Sequence, residues 1–261
     1  MLDGASAAER TVVADIAIER LRFEGGGRPL LYLHPKDGPA ADTPFLAALA
    51  EAGFDVHAPW LPGFGMSDRP AGVTRVGDLA SFALEYLEAF DLRDTLVVGA
   101  SFGGWVAAEM ATRDLARIGG LVLIDALGVK FAGRDQRDIA DFHSLPPAEL
   151  QRLEWAAPAA APPPPADKDA GLAAARSEEA FALYGWKPYM HDPGLPRWLR
   201  RARVPALVLW GAADGVVSPA YGKAYAALLP DARFETIPGA AHYPTRERAA
   251  ETARRIATAQ F

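Results

Sequence analysis

The segment TLVVGA (Thr95–Ala100) is apolar almost throughout and runs directly into SFGGW. An unbroken apolar run of this length is what a strand buried on both faces looks like, and such strands belong to parallel sheets covered by helices on either side. The run ends in Gly99-Ala100-Ser101-Phe102-Gly103, a G-x-S-x-G pattern. Glycines around one hydroxyl permit a tight turn without Cβ clashes. The residues that follow, to about 112, carry a helical pattern. A buried strand, a sharp turn and a helix therefore place Ser101 above the edge of a sheet, at a helix N-terminus where developing negative charge is favoured. The plainer alternative is a turn whose serine caps the helix.

The rest of the chain fits the same architecture. Strands are expected at 18–23 (IERLRF) and 29–34 (PLLYLH), joined by a glycine turn. Others are expected at 55–60, 119–125, 206–211 and 233–238. Helical patterns fall at 42–52, 75–90, 219–229 and 245–259. This alternation predicts an α/β protein with a mostly parallel central sheet and helices on both faces. The rhythm breaks over residues 130–203, where no strand is expected. That stretch has helix-like pieces at 146–155 and 177–186. Between them lies a linker, APAAAPPPPADKD, whose prolines at 162–165 favour an extended, stiff segment. The expected units are a core of 1–129 and 204–261, and a helical insertion of 130–203.

Composition narrows the function classes. The 261 residues suffice for one large domain or two small ones. Net charge is −6, which argues against a nucleic-acid binder. The chain has no cysteine, so disulfides, thiolate metal sites and cysteine nucleophiles are excluded. The opening MLDGASAAERTVVAD carries Asp3 and Glu9 and lacks a basic segment followed by an apolar one, so no signal peptide is expected. No apolar stretch is long enough to span a bilayer. The expectation is a cytoplasmic monomer or homodimer that meets a small-molecule substrate, without nucleic acid or membrane.

With its strand and helix context, the motif at Ser101 resembles the nucleophile elbow of the α/β-hydrolase fold, specifically of serine-nucleophile members with a helical cap. The resemblance covers roughly residues 20 to 261. It implies partners in the order serine, acid, histidine. His242, in IPGAAHYP after the final expected strand, matches the place of the general base. Asp214, three residues past Gly211 on the loop leaving the preceding strand, matches the place of the acid. Asp125 also ends an expected strand and is the rival acid. The backbone N–H groups of Phe102 and Lys36 are the implied oxyanion donors. Relatives often have His-Gly before that second donor. Here the order is His34-Pro35-Lys36, and proline has no N–H to give.

Residues 130–203 match the position of the family's cap over the active site. Candidate substrate contacts are Trp105, Phe142, Trp186, Tyr189 and His191, with His34 beneath the site. His34 is better suited to tying loops together than to acting as a base. Lys36 is expected in solvent or paired with Asp37. The tight His/carboxylate pairs, His34 with Asp37 and His191 with Asp192, lack metal-ligand spacing, so neither a metal nor a cofactor is expected. The resemblance implies hydrolysis of esters or related acyl bonds by Ser101. It leaves open carbon–carbon bond hydrolysis, cofactor-free perhydrolase or lyase chemistry on the same residues, and a non-catalytic receptor.

Overall fold

The computed structural model describes residues 8–133 and 135–261. The first seven residues, part of the opening stretch and of the expected 1–129 unit, lie outside the described residues, as does Arg134 within 130–203. Eight described strands form one sheet. They are β1 (Glu9–Val13), β2 (Ile16–Phe23), β3 (Pro29–Leu33), β4 (Asp55–Pro59), β5 (Thr95–Ala100), β6 (Ile118–Ile124), β7 (Ala206–Gly211) and β8 (Ala232–Ile237). Their spatial order is β1-β2-β4-β3-β5-β6-β7-β8. The β1–β2 and β2–β4 pairings are antiparallel and the others parallel.

The sheet core agrees with the sequence pattern. Every residue of β5 and β7 is buried, as their uninterrupted apolar runs require. Two apolar cores flank the sheet. One packs the helices α2 (Val76–Ala89), α3 (Phe102–Arg113) and α7 (Pro219–Ala226) against one face. The other packs α1 (Thr43–Glu51) and α9 (Ala249–Ala257) against the opposite face.

Three local details differ from expectation. Strand β1 was not anticipated. It pairs with β2 through a turn in which Ala14 and Asp15 both take positive φ, 48° and 63°. That twist suits a tight hairpin, but Ala-Asp is not the Asn-Gly that announces one. The segments 18–23 and 29–34 are joined by a glycine turn but do not pair, because β4 lies between β2 and β3. The last helical pattern is interrupted, giving α8 (Pro244–Glu247) before α9.

Between β6 and β7 the chain builds α4 (Pro147–Glu154), α5 (Lys168–Gly185) and the short α6 (Leu195–Trp198). Isolated bridges join Gly128 to His191 and Ile139 to Val217. Helix α5 begins at Lys168, well before residue 177, where the sequence pattern starts. Asp167 caps it, its side chain accepting the Ala170 N–H. Part of the presumed linker is therefore helix. Among the described residues no helix is long and apolar enough to cross a membrane.

Candidate active site

The C-terminal ends of the parallel strands converge on one edge of the sheet, where loops of open α/β sheets carry their binding groups. Ser101 follows β5, Asp125 follows β6, Asp214 lies on the loop after β7 and His242 on the loop after β8. Ser101 holds φ 52° and ψ −116°, a left-handed conformation that costs a non-glycine residue of order 1–3 kcal/mol. Its neighbours make the turn possible. A Cβ on Gly103 would lie 2.0 Å from the Leu33 carbonyl oxygen, and one on Gly99 would lie 2.3 Å from the Gly103 carbonyl oxygen. The helix therefore meets β3 and β5 too closely for any side chain at those two positions.

Ser101 occupies the N-cap position of α3, but its side chain makes no capping hydrogen bond. The hydroxyl instead lies 2.8 Å from His242 Nε2. His242 Nδ1 lies 2.9 Å from Asp214 Oδ2. With its proton on Nδ1, facing a carboxylate, the imidazole leaves Nε2 as the acceptor of the serine proton. Asp214 Oδ1 accepts the N–H groups of Val216 (2.8 Å) and Val217 (3.1 Å), which fixes the carboxylate. Ser101 and His242 are 3% and 1% exposed, so the relay is covered in this structure. Asp125 does not compete for the imidazole. Its Oδ1 accepts the Gly211 N–H at 2.8 Å.

Phe102 opens α3, so its N–H stands outside the i→i−4 ladder of the helix. Lys36 is neither in solvent nor paired with Asp37. Its Nζ pairs with Glu154 Oε1 at 2.9 Å, and both side chains are largely buried. Tyr243 donates to the same oxygen at 3.1 Å. Asp37 is bound instead by Arg246, both of its oxygens lying 2.7 Å from the guanidinium. Arg246 also reaches Asp42 at 3.0 Å. The loop after β3 is thereby buckled to the helix that follows His242. Glu154, Tyr243 and Arg246 were not foreseen, and only the position of Arg246, four residues past His242, hinted at a role.

The segment above the site is anchored at several points. The His242 N–H donates to the Glu154 carbonyl (3.0 Å) and the Gly215 N–H to the Leu153 carbonyl (3.1 Å). The end of α4 thus ties the acid loop to the histidine loop. Helix α5 is held over the 61–67 loop. Ser177 Oγ accepts the Gly65 N–H, Arg176 donates to the Gly65 and Ser67 carbonyls, and Tyr184 donates to the Pro62 carbonyl.

The candidate substrate contacts separate into groups. The Phe142 ring lies 6.2 Å from that of His242 and packs edge-on against Phe181 at 5.1 Å. Tyr189 is a strut rather than a free contact: its hydroxyl accepts the Phe142 N–H at 2.7 Å and donates to the Ala140 carbonyl at 2.9 Å. Trp105, Trp186 and His191 line a separate cleft of about 960 Å³, which Ser101 does not line. His34 has no ring nitrogen left for a substrate. Nδ1 meets the Pro35 carbonyl at 2.6 Å and Nε2 accepts the Leu61 N–H at 3.0 Å. Burial pushes its pKa down to about 4, so the ring is neutral. Asp125, Asp214 and His242 form the described cluster of potential ligand atoms, all within 4.8 Å of one another. Hydrogen bonds to the protein already engage Asp214 and both nitrogens of His242.

The profile of a family described as "Alpha/beta hydrolase family" matches residues 25–255. A 2-hydroxymuconate semialdehyde hydrolase of Pseudomonas sp. (strain CF600) is 31% identical over 148 residues, 55% of this chain and 52% of the relative. The match therefore spans about half the length of that relative. Among solved structures, a bacterial membrane phospholipase A superposes with a TM-score of 0.78 at 26% identity, covering 98% of this chain and 85% of the other. A meta-cleavage product hydrolase shares the fold, with a TM-score of 0.77 at 20% identity over 95% of this chain and 96% of the other. With that profile matched across most of its length, the chain belongs to the alpha/beta hydrolase family.

Proposed function

We propose that this chain is a serine hydrolase that cleaves carboxylic esters or related acyl bonds, such as lactones and thioesters, of small to medium apolar substrates. One observation carries the reading: the unbroken hydrogen-bonded line from Ser101 Oγ through His242 to Asp214. A serine hydroxyl is a weak nucleophile alone, and an adjacent oriented base activates it. His242 Nε2 takes the proton as Oγ attacks the substrate carbonyl. Asp214 orients the ring and stabilises the imidazolium. The N–H groups of Phe102 and Lys36 receive the oxyanion. His242 then protonates the leaving group and activates the water that releases the acid.

Residues 130–203 act as a cap over a core of 1–129 and 204–261. The aromatic wall of Phe142, Phe181, Phe102 and Tyr184 supports an apolar acyl group. Because Ser101 is covered, substrate entry requires part of this cap to shift.

A second reading rests on the relative named 2-hydroxymuconate semialdehyde hydrolase. In it the same residues hydrolyse a carbon–carbon bond of a ring-cleavage product. That chemistry calls for further polar side chains at the substrate, of which Lys36, Lys187 and His191 are candidates: Lys36 lies 5.2 Å from the Phe142 ring but is paired with Glu154. Lys187 and His191 line the separate cleft. Turnover of p-nitrophenyl esters of increasing acyl length, beside 2-hydroxymuconate semialdehyde, separates the two. The ester reading expects ester turnover that Ser101→Ala abolishes. Turnover of the semialdehyde alone would replace it with the second reading.

A further inference from the structure

Asp125 ends β6 beside Asp214 and His242, and the proposed chemistry leaves its side chain unused. It is 0% exposed and takes a left-handed φ of 45° at the end of β6. Its N–H donates to the Leu209 carbonyl at 3.1 Å, and its Oδ1 accepts the Gly211 N–H at 2.8 Å. Its Oδ2 is buried and has no hydrogen-bond partner among the described residues. A buried carboxylate oxygen without a donor is costly when ionised.

The neighbour makes ionisation harder still. Asp214 is within the same 4.8 Å cluster. Its carboxylate accepts two backbone N–H groups and the His242 Nδ1 proton, three donors in all. Two buried carboxylates this close do not both ionise, and the one with fewer donors keeps its proton. Asp125 has a single donor. The proton therefore belongs on its free oxygen, Oδ2. Burial, then the charge of Asp214, pushes the Asp125 carboxyl well above the usual range.

We propose, resting on the hydrolase reading above, that Asp125 is a positioning residue. It is a neutral carboxylic acid whose Oδ2–H faces Asp214 and supports that carboxylate in its orientation toward His242. Its charge plays no part; its donor does. Asparagine should therefore replace it, since the amide oxygen accepts from Gly211 and the amide N–H faces Asp214. Alanine supplies neither.

Two measurements test this, one independent of turnover. Thermal unfolding of wild type and Asp125→Asn is followed from pH 4 to 8. A carboxyl whose pKa is raised on folding favours the native state below the ordinary carboxylate pKa, and that advantage is lost as pH rises. The titratable groups that face Asp125 are Asp214 on the β7 loop, and His242 and Glu247 beyond β8. All three are common to both proteins. Asp125→Asn is expected to gain in melting temperature relative to wild type as pH rises above about 4, the usual aspartate range. An asparagine variant less stable than wild type at neutral pH would overturn the proposal, because an ionised Asp125 would then be contributing to the fold.

The second measurement is the pH profile of kcat/KM on the best ester. Asp125→Ala is expected to lose about tenfold, the worth of one hydrogen bond to a charged group, and to shift the acid limb upward. Asp125→Asn should restore kcat/KM to within about threefold and return the limb to its wild-type position. A loss in the asparagine variant as large as in alanine would overturn the proposal. If no ester is turned over, the ester reading fails on its own terms, and the unfolding curves still decide the protonation state.

Discussion

The sheet edge and the segment above it are built on opposite terms. At the edge, Ser101, Asp125, Asp214 and His242 are fixed by backbone: a left-handed turn, glycines that admit no Cβ, and N–H groups aimed into carboxylates. Above it, the described residues between β6 and β7 are held by contacts reaching across space, from side chains, such as Lys36 to Glu154, Arg176 to Gly65 and Tyr189 to Ala140, and from backbone, such as His242 to Glu154 and Gly215 to Leu153. The first kind of restraint is local and tolerates almost no change. The second is distributed, so single contacts can go without losing the arrangement. Such a division would keep the residues at the edge aligned if the segment above them shifted.

The largest expected effect falls at the edge. Gly103→Ala drives a methyl group against the Leu33 carbonyl oxygen, 2.0 Å away. Denaturant unfolding should register a loss of about 4 kcal/mol, above the usual cost of overpacking because backbone must move. Next is Arg246→Ala, which strands Asp42 in the core and releases Asp37. Its expected cost is about 3 kcal/mol, typical of breaking a buried ion pair from one side. If either change proves as mild as a loss in the upper segment, the contrast between the regions collapses.

His34 sharpens the comparison through pH. Its ring is neutral in the fold, with a pKa of about 4 against about 6.5 when unfolded. Between those values the unfolded chain binds the extra proton, so stability rises with pH across that window and is lost as pH falls. From pH 6.5 to 5 this amounts to about 2 kcal/mol. His34→Gln should flatten the slope there, as read by unfolding at each pH. An unchanged slope would mean the ring titrates normally and does not tie Pro35 to Leu61. The smallest effect belongs to the upper segment. Tyr189→Phe removes both hydrogen bonds of the strut and should cost about 1 kcal/mol. A cost exceeding that of Arg246→Ala would show the segment to be the more tightly specified region.

The same division explains what could be read without a structure. The β5–Ser101–α3 unit was legible because its constraint is local: an apolar run, a turn and glycines within ten positions. Asp214 and His242 stood out only through the resemblance to the hydrolase fold, which implies an acid and a base after the last two strands. What escaped depends on distant partners. Lys36 could be seen as unusual, but nothing near it in the chain points to Glu154, 118 positions away, and the ion pair exists only because α4 folds back over the loop. Trp186 and His191 stand out in the sequence only by their aromatic and polar character. Packing sends them to another cleft while bringing Phe142 to His242. The start of α5 was obscured by the prolines before it, although Asp167 is an ordinary N-cap. Strand β1 was missed because its hairpin uses alanine and aspartate at positive φ.

The central claim is that Ser101 is a nucleophile activated by His242. The most direct test is covalent: react the purified protein with phenylmethylsulfonyl fluoride, then map the modification by peptide mass. The account predicts a single sulfonyl group on Ser101, formed far more slowly when His242 is replaced by alanine. A protein left unmodified at Ser101, or labelled there at the same rate without His242, would contradict it.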